Sequence, residues 1–164
     1  MTPMHGDSVH IERAIPEDAT GMRLVIRAAM EKYARDSGIP GRLDAMEESV
    51  DDLLRFIAQD TVFVARVGSN IVGTVRISIE PDGLAYLSRF AVLPGKQSLG
   101  IGSRLFTAAE AHMKEMQIRQ VRLHTALTNQ ALVRFYEARG FRLSSRSDAR
   151  GYPRGLFIKE FLSE

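Results

Sequence analysis

The segment "PGKQSLGIGSRL", Pro94–Leu105, places three glycines directly before a stretch with helical periodicity. The first backbone N–H groups of a helix have no acceptor within it, and they lie at the positive end of the helix dipole. A glycine-rich turn that opens a helix is therefore a binding site for phosphate. We predict a phosphate-binding loop here, and the spacing of its glycines bears on which phosphate it takes.

Two other glycine-rich motifs differ from this segment at key positions. Gly95 and Gly100 are separated like the two glycines of a P-loop. However, Ile101 and Gly102 stand where that motif requires Lys followed by Ser or Thr. A dinucleotide-binding motif that begins at Gly100 would need glycine where Leu105 stands. The spacing therefore argues against a nucleoside triphosphatase and against a dinucleotide site.

Residue composition excludes several further chemistries. The sequence has no cysteine, which rules out disulfides, thiolate zinc sites and a cysteine nucleophile. It contains no Gly-x-Ser-x-Gly or His-Glu-x-x-His motif, and its histidines do not have the spacing of a metal site. We therefore expect no bound metal. His124 lies on a predicted strand, where we interpret it as a structural histidine, and a role in the site stays open.

The periodicity of apolar residues predicts the element order β-α-α-β-β-β-α-β-α-β-β. Three segments, "TVFVARV", "IVGTVRISI" and "LAYLSRFAV", follow one another through short turns and predict an antiparallel meander. Helical spacing of apolar residues from Met46 to Ile57 indicates a second helix, and spacing from Leu105 to Met116 indicates a third. The predicted fold class is mixed α/β (α+β), with helices packed on the faces of the sheet.

The length and net charge of the chain limit the classes of protein to which it can belong. The chain has 164 residues, 45% of them apolar, so we expect one domain over 1–164. A net charge of +2 gives no reason to expect a nucleic-acid partner. The sequence has no apolar run long enough for a membrane span and no secretory signal at its start. We therefore expect a cytoplasmic protein without a membrane partner.

Two segments of the chain together resemble a known family. The stretch "VLPGKQSLGIGSRL" resembles the acyl-CoA pyrophosphate loop of the GNAT superfamily of N-acetyltransferases, whose pattern is Gln/Arg-x-x-Gly-x-Gly/Ala. The stretch "TNQALVRFYEARGFR" is similar to a second motif of that family, with matches at Asn129, Ala131, Phe135, Tyr136, Gly140 and Phe141. Ser98 departs from the family, in which many members have glycine. The resemblance implies a mixed, mostly antiparallel sheet of roughly seven strands flanked by four helices.

The resemblance implies acetyl-CoA as a cosubstrate. Backbone N–H groups of the loop would hold its pyrophosphate, and the residues concerned are Gln97, Ser98, Leu99, Gly100, Ile101, Gly102 and Ser103. Backbone groups of Phe90, Ala91 and Val92 would pair with the pantetheine arm as an added strand does. Asn129 would contact the cofactor or cap a helix, and the two roles are compatible. The alternative interpretation of the loop is a plain helix-capping turn.

By the same resemblance, Tyr136 would contact the cofactor and protonate the departing CoA thiolate as general acid; the alternative is a core aromatic. A free amine would attack the thioester directly, and the absence of cysteine favours this over a covalent acyl-enzyme. The amine must first lose a proton. Many family members carry an acid on the strand before the loop, but 84–92 contains none. We predict Glu80, at the end of the neighbouring strand, as the base, with a water relay as the alternative.

The resemblance thus predicts transfer of an acetyl group to a primary amine of a small molecule or peptide, and a homodimer is common among similar proteins. The alternative function is an acyl-CoA-binding sensor or regulatory module without turnover. Acidic residues accumulate over Asp44–Asp60, and Glu31 and Asp36 precede them in the first helix. If these helices line the acceptor entrance, they should attract amines with additional positive charge, such as polyamines.

Overall fold

The structure is a computed structural model that describes residues 8–41, 43–96 and 99–161. Within these ranges the element order is the one expected from the sequence. The strands are β1 (Val9–Arg13), β2 (Thr61–Val67), β3 (Asn70–Ile79), β4 (Ala85–Val92), β5 (Gln120–Ala126), β6 (Arg142–Ser147) and β7 (Arg154–Glu160). The helices are α1 (Ala19–Ser37), α2 (Val50–Gln59), α3 (Ile101–Glu115) and α4 (Gln130–Glu137), with short 3-10 turns at Pro16–Asp18 and Asp44–Glu47.

Local signals set where the helices begin and end. At the start of α2, Ser49 Oγ accepts a hydrogen bond from Asp52 N at 3.0 Å, and the Asp52 carboxylate accepts one from Ser49 N at 2.8 Å. This reciprocal capping box satisfies two N–H groups at the helix start. Met46 lies in the 3-10 turn before α2, not in the helix to which its spacing assigned it. Met116 follows the last residue of α3 and is 49% exposed, so it lies outside the helix to which its spacing assigned it and is not part of the core.

The seven strands form one sheet in the order β1-β2-β3-β4-β5-β7-β6. All neighbours are antiparallel except β4 and β5, which run parallel. This pair is joined at two positions, Ala85 with Val121 and Tyr86 with Arg122. Beyond them, the described parts of β4 and β5 have no further pairing with each other, so the sheet opens into a cleft along its middle.

A β-bulge bends β4 beside this cleft. Thr74 of β3 pairs with Ala91, and Arg76 pairs with Ser88, so two residues of β4 lie opposite the single residue between the β3 positions. One of the two, Arg89, has a φ of 51°, in the left-handed region that a non-glycine side chain rarely adopts. Bulges of this kind turn a strand away from its ladder. The strand therefore changes direction just where it leaves β5.

Both faces of the sheet are covered by helices. On one face α3 packs its apolar stripe against the central strands, with Leu105, Phe106 and Met113 at most 2% exposed. On the other face α1 and α2 bury Met22, Val25, Ile26 and Leu53 against alternate residues of β2. Strand periodicity explains this division, because successive residues of β2 point to opposite faces. None of the helices in the described ranges is both long and apolar enough to cross a membrane.

Helix α1 is tied by hydrogen bonds to the far side of the cleft. The hydroxyl of Tyr33 accepts a hydrogen bond from Ala126 N, at the end of β5, with a separation of 2.8 Å. At the end of α1, Ser37 accepts hydrogen bonds from Thr128 Oγ1 to its carbonyl at 2.7 Å and from Asn129 Nδ2 to its Oγ at 3.1 Å. We call these three bonds the α1 tie. They hold α1 across the opening between β4 and β5.

Candidate active site

A cavity of about 470 Å³ lies where β4 leaves β5, bounded also by the start of α3, by α4 and by the C-terminal half of α1. We call it the loop-side cavity. It is lined by seven of the residues predicted to bind acetyl-CoA, namely Phe90, Ala91, Val92, Gly100, Gly102, Ser103 and Asn129. Its two charged lining residues, Lys32 and Asp36, form an ion pair with each other. A ligand in this cavity therefore meets mainly backbone groups and apolar side chains.

The start of α3 has the conformation expected of a phosphate-binding turn. Gly100 is the N-cap residue, with a φ of 71°, and no side chain in the described chain caps the helix. Glycine adopts this backbone conformation without strain, and it leaves the first-turn N–H groups uncovered. Ile101 is fully buried beneath the turn and Leu99 is 46% exposed. Gln97 and Ser98 lie outside the described residues.

The second glycine of the motif brings β4 close to the helix start. A Cβ atom on Gly102 would lie 3.0 Å from Cζ of Phe90 and 3.6 Å from Cζ of Phe135. Glycine allows this close packing, since a methyl group would push the Phe90 ring a few tenths of an ångström away from α3. The Phe90 ring is also stacked on Phe135, with the ring centroids 5.4 Å apart. The bulged strand and the loop are therefore one packed unit.

Beyond Tyr86, the edge of β4 that faces the cleft has no β5 partner in the described chain. On its other edge the strand is paired with β3 through Val92. A strand edge of this kind can accept an extended ligand through main-chain hydrogen bonds. Phe90, Ala91 and Val92 lie on this stretch and line the loop-side cavity, as their predicted role requires.

A second cavity, of about 390 Å³, lies on the other side of Phe90. Four arginines line it, Arg76, Arg89, Arg150 and Arg154, and we call it the arginine cavity. Its lining also includes Asp44, Tyr86, His124, Tyr136 and Tyr152. Met30, Tyr33, Phe90 and Leu132 line both cavities, so the two spaces meet at a shared wall.

Tyr136 lies at this junction, within a cluster of aromatic rings. It is 5% exposed, and its ring centroid is 6.3 Å from that of Phe90 and 5.7 Å from that of Phe106. Its hydroxyl has no hydrogen-bond partner among the described residues, although the side chain lines the arginine cavity. Burial raises the pKa of Tyr136 well above its ordinary value. The hydroxyl is therefore a neutral proton donor at physiological pH.

Asn129 joins α4 to α1. Its Oδ1 accepts a hydrogen bond from Leu132 N at 3.2 Å, which confirms the predicted N-cap of α4. Its Nδ2 donates to Ser37 Oγ as part of the α1 tie. Because Asn129 also lines the loop-side cavity, the structural role does not remove it from the candidate site.

The structure does not bring Glu80 to the candidate site. Glu80 follows the last residue of β3 and lines neither cavity. Its side chain is 38% exposed, and Oε1 lies 3.9 Å from Nη1 of Arg122. The reason is topological. The end of β3 lies beside the start of β4, where β4 and β5 are still paired, whereas the cleft opens at the other end.

Sequence reasoning assigned His124 a structural role, but the structure places it on the cavity wall. Its Nδ1 lies 2.5 Å from the hydroxyl of Tyr86, on the facing strand. Burial, together with the positive charges of Arg154 and Arg150, lowers the pKa of His124 below its ordinary 6.5. The imidazole is therefore neutral at physiological pH and carries a basic nitrogen. The sequence signal was its position on a strand a few residues before Asn129.

The arginines of the cavity are unequally paired. Glu48 bonds to two of them, with Oε1 3.0 Å from Arg76 Nη2 and Oε2 2.9 Å from Arg89 Nη2. Burial alone would raise the pKa of the Glu48 carboxyl, but the hydrogen bonds from Arg89 and Arg76 hold it below its ordinary value. Arg150 lies 3.5 Å from Asp44, and both are exposed. Arg154 forms no ion pair or hydrogen bond through its side chain within the described residues.

This charge distribution differs from the one expected if acidic helices line the acceptor entrance, since the charged groups that line the arginine cavity are mainly guanidinium groups. Asp44 is the one acidic residue of the segment Asp44–Asp60 that lines the arginine cavity. Asp52 bonds to Arg55 and Ser49, and Asp60 bonds to Ser78. These two carboxylates are engaged in contacts within the fold and do not line the arginine cavity. Among the described residues, no three His, Asp or Glu side chains are grouped as metal ligands.

The chain matches the model of the acetyltransferase (GNAT) family over residues 27–141. It is also 35% identical over 75 residues to the uncharacterized protein YxbD of Bacillus subtilis (strain 168). That match covers 46% of this chain and 45% of the Bacillus subtilis protein, so it spans about half of either sequence.

Solved structures agree with the fold over nearly the whole chain. One is the PaiA N-acetyltransferase of Thermoplasma acidophilum in complex with coenzyme A, with a TM-score of 0.81 and 23% identity. It covers 94% of this chain and 99% of that one. A GNAT-family acetyltransferase from Staphylococcus aureus Mu50 has a TM-score of 0.75 and 18% identity, covering 93% and 99% of the two chains. At these identities the likeness shows the fold alone.

Proposed function

Since the chain belongs to the GNAT acetyltransferase family, we propose that it transfers the acetyl group of acetyl-CoA to a primary amine of an acceptor held in the arginine cavity. The observation that carries the proposal is the junction of the two cavities at Phe90. One side of the junction offers a phosphate-binding turn and a free strand edge. The other side offers a basic imidazole and a neutral phenol. A thioester placed at the junction would be within reach of both sets of groups.

On the loop side, the chain would hold acetyl-CoA mainly through its backbone. The first turn of α3, from Gly100 to Ser103, would bind the pyrophosphate, because N–H groups and the helix dipole favour an anion there. The free edge of β4 would pair with the pantetheine arm. A backbone N–H of this strand, directed at the thioester carbonyl, would stabilise the oxyanion that forms on attack. The coenzyme A complex of the Thermoplasma acidophilum structure supports this assignment.

On the acceptor side, we assign the general base to His124. An ammonium group has no lone pair, so the acceptor must lose a proton before it attacks. If Nδ1–H of His124 is donated to the Tyr86 oxygen, Nε2 remains unprotonated and can accept that proton, directly or through a water molecule. The lowered pKa of His124 keeps this nitrogen unprotonated at neutral pH, so that it is available to accept a proton. Glu80 is not retained as the base, because it lines neither cavity.

Tyr136 would complete the reaction as general acid. Collapse of the tetrahedral adduct breaks the carbon–sulfur bond and leaves a CoA thiolate, which the Tyr136 hydroxyl would protonate. The Tyr136 side chain lines the arginine cavity, and its hydroxyl has no hydrogen-bond partner among the described residues, so its proton is free to be donated. The positions of His124 and Tyr136 on one cavity wall would allow one group to accept a proton as the other supplies one.

The test is turnover with a panel of primary amines. Purified protein is incubated with acetyl-CoA and each amine, release of free CoA thiol is followed, and the product is identified by mass spectrometry. The panel contains amino acids, their carboxamides, polyamines, aminoglycosides and short peptides. We expect amine-dependent thiol release and a product with one added acetyl group. Saturable acetyl-CoA binding without amine-dependent release from any member would contradict the proposal and favour the sensor module.

A further inference from the structure

We infer that the acceptor carries a carboxylate as well as the amine, so that the arginine cavity recognises a small amino acid or a related aminocarboxylate. This inference rests on the proposed function and concerns the same site. It arises from the charge of the cavity wall, which is opposite to the one that the acidic segment of the sequence led us to expect.

The first step is the charge balance of the wall. Four guanidinium groups line the cavity, and the carboxylates bonded to them are Glu48 and Asp44. Four guanidinium groups against two carboxylates leave the wall with a net excess of two positive charges. Other acids nearby are engaged elsewhere, since Asp60 bonds to Ser78 and Glu80 lies beside Arg122. An anionic group on the acceptor would compensate this charge, whereas a polycation would increase the repulsion.

The second step identifies the arginine that is free to bind. Arg76 and Arg89 share the Glu48 carboxylate, and their side chains are 6% and 26% exposed. Arg150 has Asp44 at 3.5 Å. The guanidinium of Arg154 has no such partner among the described residues, and its side chain is half-buried at the first position of β7. A planar guanidinium in this state is suited to a two-point contact with a carboxylate.

The third step is the position of Arg154 relative to the proposed base. Arg154 pairs with Ala126 in the β5–β7 ladder, two residues along β5 from His124. Residues two apart on a strand point to the same face, and Arg154, His124 and Tyr86 all line the arginine cavity. A carboxylate held by Arg154 would therefore keep an amine on the same small molecule near His124. A short spacer between the two groups is what an amino acid provides.

The size of the cavity fits a small molecule. About 390 Å³ is at the lower end of the range for small-molecule sites, which commonly run from about 300 to 1,000 Å³. The shared wall of Met30, Phe90 and Leu132 is apolar and would contact a side chain or the spacer. The charge of the cavity wall, the position of Arg154 and the volume of the cavity all favour a small aminocarboxylate as the acceptor.

The test compares acceptors that differ only in the carboxylate. Standard amino acids and their carboxamides are assayed with the wild-type protein by amine-dependent release of CoA thiol. We expect kcat/KM for the best amino acid to exceed that of its carboxamide by about tenfold or more, as a charge-assisted contact would give. The preference should weaken as salt is added, because salt screens the contact between the carboxylate and the guanidinium group.

The matched variants are Arg154→Gln and Arg142→Gln. Arg142 lies on β6, is 63% exposed and lines neither cavity. We expect Arg154→Gln to raise KM for the amino acid about tenfold or more, with KM for the carboxamide and for acetyl-CoA unchanged. Arg142→Gln should leave all three values unchanged. An equal loss for amino acid and carboxamide would overturn the role of Arg154.

The wild-type comparison separates this inference from the proposed function without relying on a variant. If a carboxamide or a polyamine is acetylated in preference to every amino acid, the inference is overturned and the acetyltransferase assignment stands. If no amine in the panel releases thiol, the proposed function itself is contradicted. Preference for the amino acid supports both.

Discussion

The loop-side cavity and the arginine cavity share a wall but are built in different ways. The loop-side cavity uses the backbone of two short segments, 90–92 and 100–103, and its charged pair is internally neutral. The arginine cavity uses side chains from α1, a 3-10 turn, β3, β4, β5, α4, β7 and the segment between β6 and β7. A backbone site needs glycine at fixed positions, so it leaves a readable motif in the sequence. A side-chain site assembled from distant segments leaves none.

The largest effect on ligand binding is expected from Gly100→Glu, which changes the phosphate-binding turn at the start of α3. A side chain at this position is strained by the φ of 71°, and its carboxylate would occupy the region meant for phosphate. We expect acetyl-CoA binding, measured by calorimetry, to be lost.

Gly83→Glu is the matched control for that variant. Gly83 has a φ of 84°, no atom within 4 Å of its added Cβ, and a place in the exposed turn after β3. Both variants should lose similar stability, but Gly83→Glu should keep the acetyl-CoA affinity of the wild type. If a folded Gly100→Glu protein binds acetyl-CoA normally, the loop is a plain capping turn.

Tyr136→Phe should lower kcat by about a hundredfold or more, because a general acid commonly contributes at least that much. Affinity for acetyl-CoA should stay close to that of the wild type, since the ring keeps its packing against Phe90 and Phe106. Single-turnover measurement of the chemical step checks this. An unchanged chemical step would show that Tyr136 is a packing residue.

His124→Gln should lower kcat/KM by about tenfold to a hundredfold at neutral pH, with water taking over part of the proton transfer. The pH profile is the more specific measurement. Since the pKa of His124 lies below 6.5, the wild-type imidazole should become protonated and the rate should fall as pH decreases through that region. His124→Gln should lose this acid limb.

His112→Gln is the control for that profile. His112 also has a pKa below its ordinary value, through burial and the charge of Arg13, but it lies on α3 and bonds to Thr61. It lines neither cavity. An acid limb that survives in His124→Gln and disappears in His112→Gln would refute the assignment of the base.

The smallest effect is expected from Gly102→Ala, which tests the wall that the cavities share. The added methyl group would lie 3.0 Å from Phe90 Cζ, so the ring must shift by a few tenths of an ångström. We expect KM for acetyl-CoA and for the acceptor to rise together, by about threefold or less. A change confined to acetyl-CoA would show that Phe90 does not couple the two cavities.

The parts of the molecule that the sequence predicted are those that depend on local rules. Apolar periodicity gave the order of the strands and helices, and residue type gave the N-cap at Asn129. Met116 was misplaced because periodicity cannot show that α3 has already ended at Glu115. Each of these depends on a few neighbouring residues.

The base and the acceptor charge depend instead on where β4 and β5 separate, which is a tertiary property. Glu80 and His124 both lie at or near strand ends, and the last paired positions, Tyr86 and Arg122, decide which of them reaches the cleft. The charge of the acidic segment could not be assigned to a cavity either. Glu48 neutralises arginines that lie 28 and 41 positions away in the sequence, a pairing that no local pattern shows.

The α1 tie has a consequence for motion. The direct β-pairing between the two halves of the sheet consists of two residue pairs. Helix α1 therefore helps to hold these halves together through the α1 tie. The N–H of Ala126 donates a hydrogen bond to Tyr33 of α1 and not to β4. Its hydrogen exchange therefore depends on the detachment of α1 from the sheet more directly than on the unfolding of a strand. The exchange rate of the Ala126 amide, measured in the presence and absence of coenzyme A, would therefore show how readily the two halves of the sheet separate.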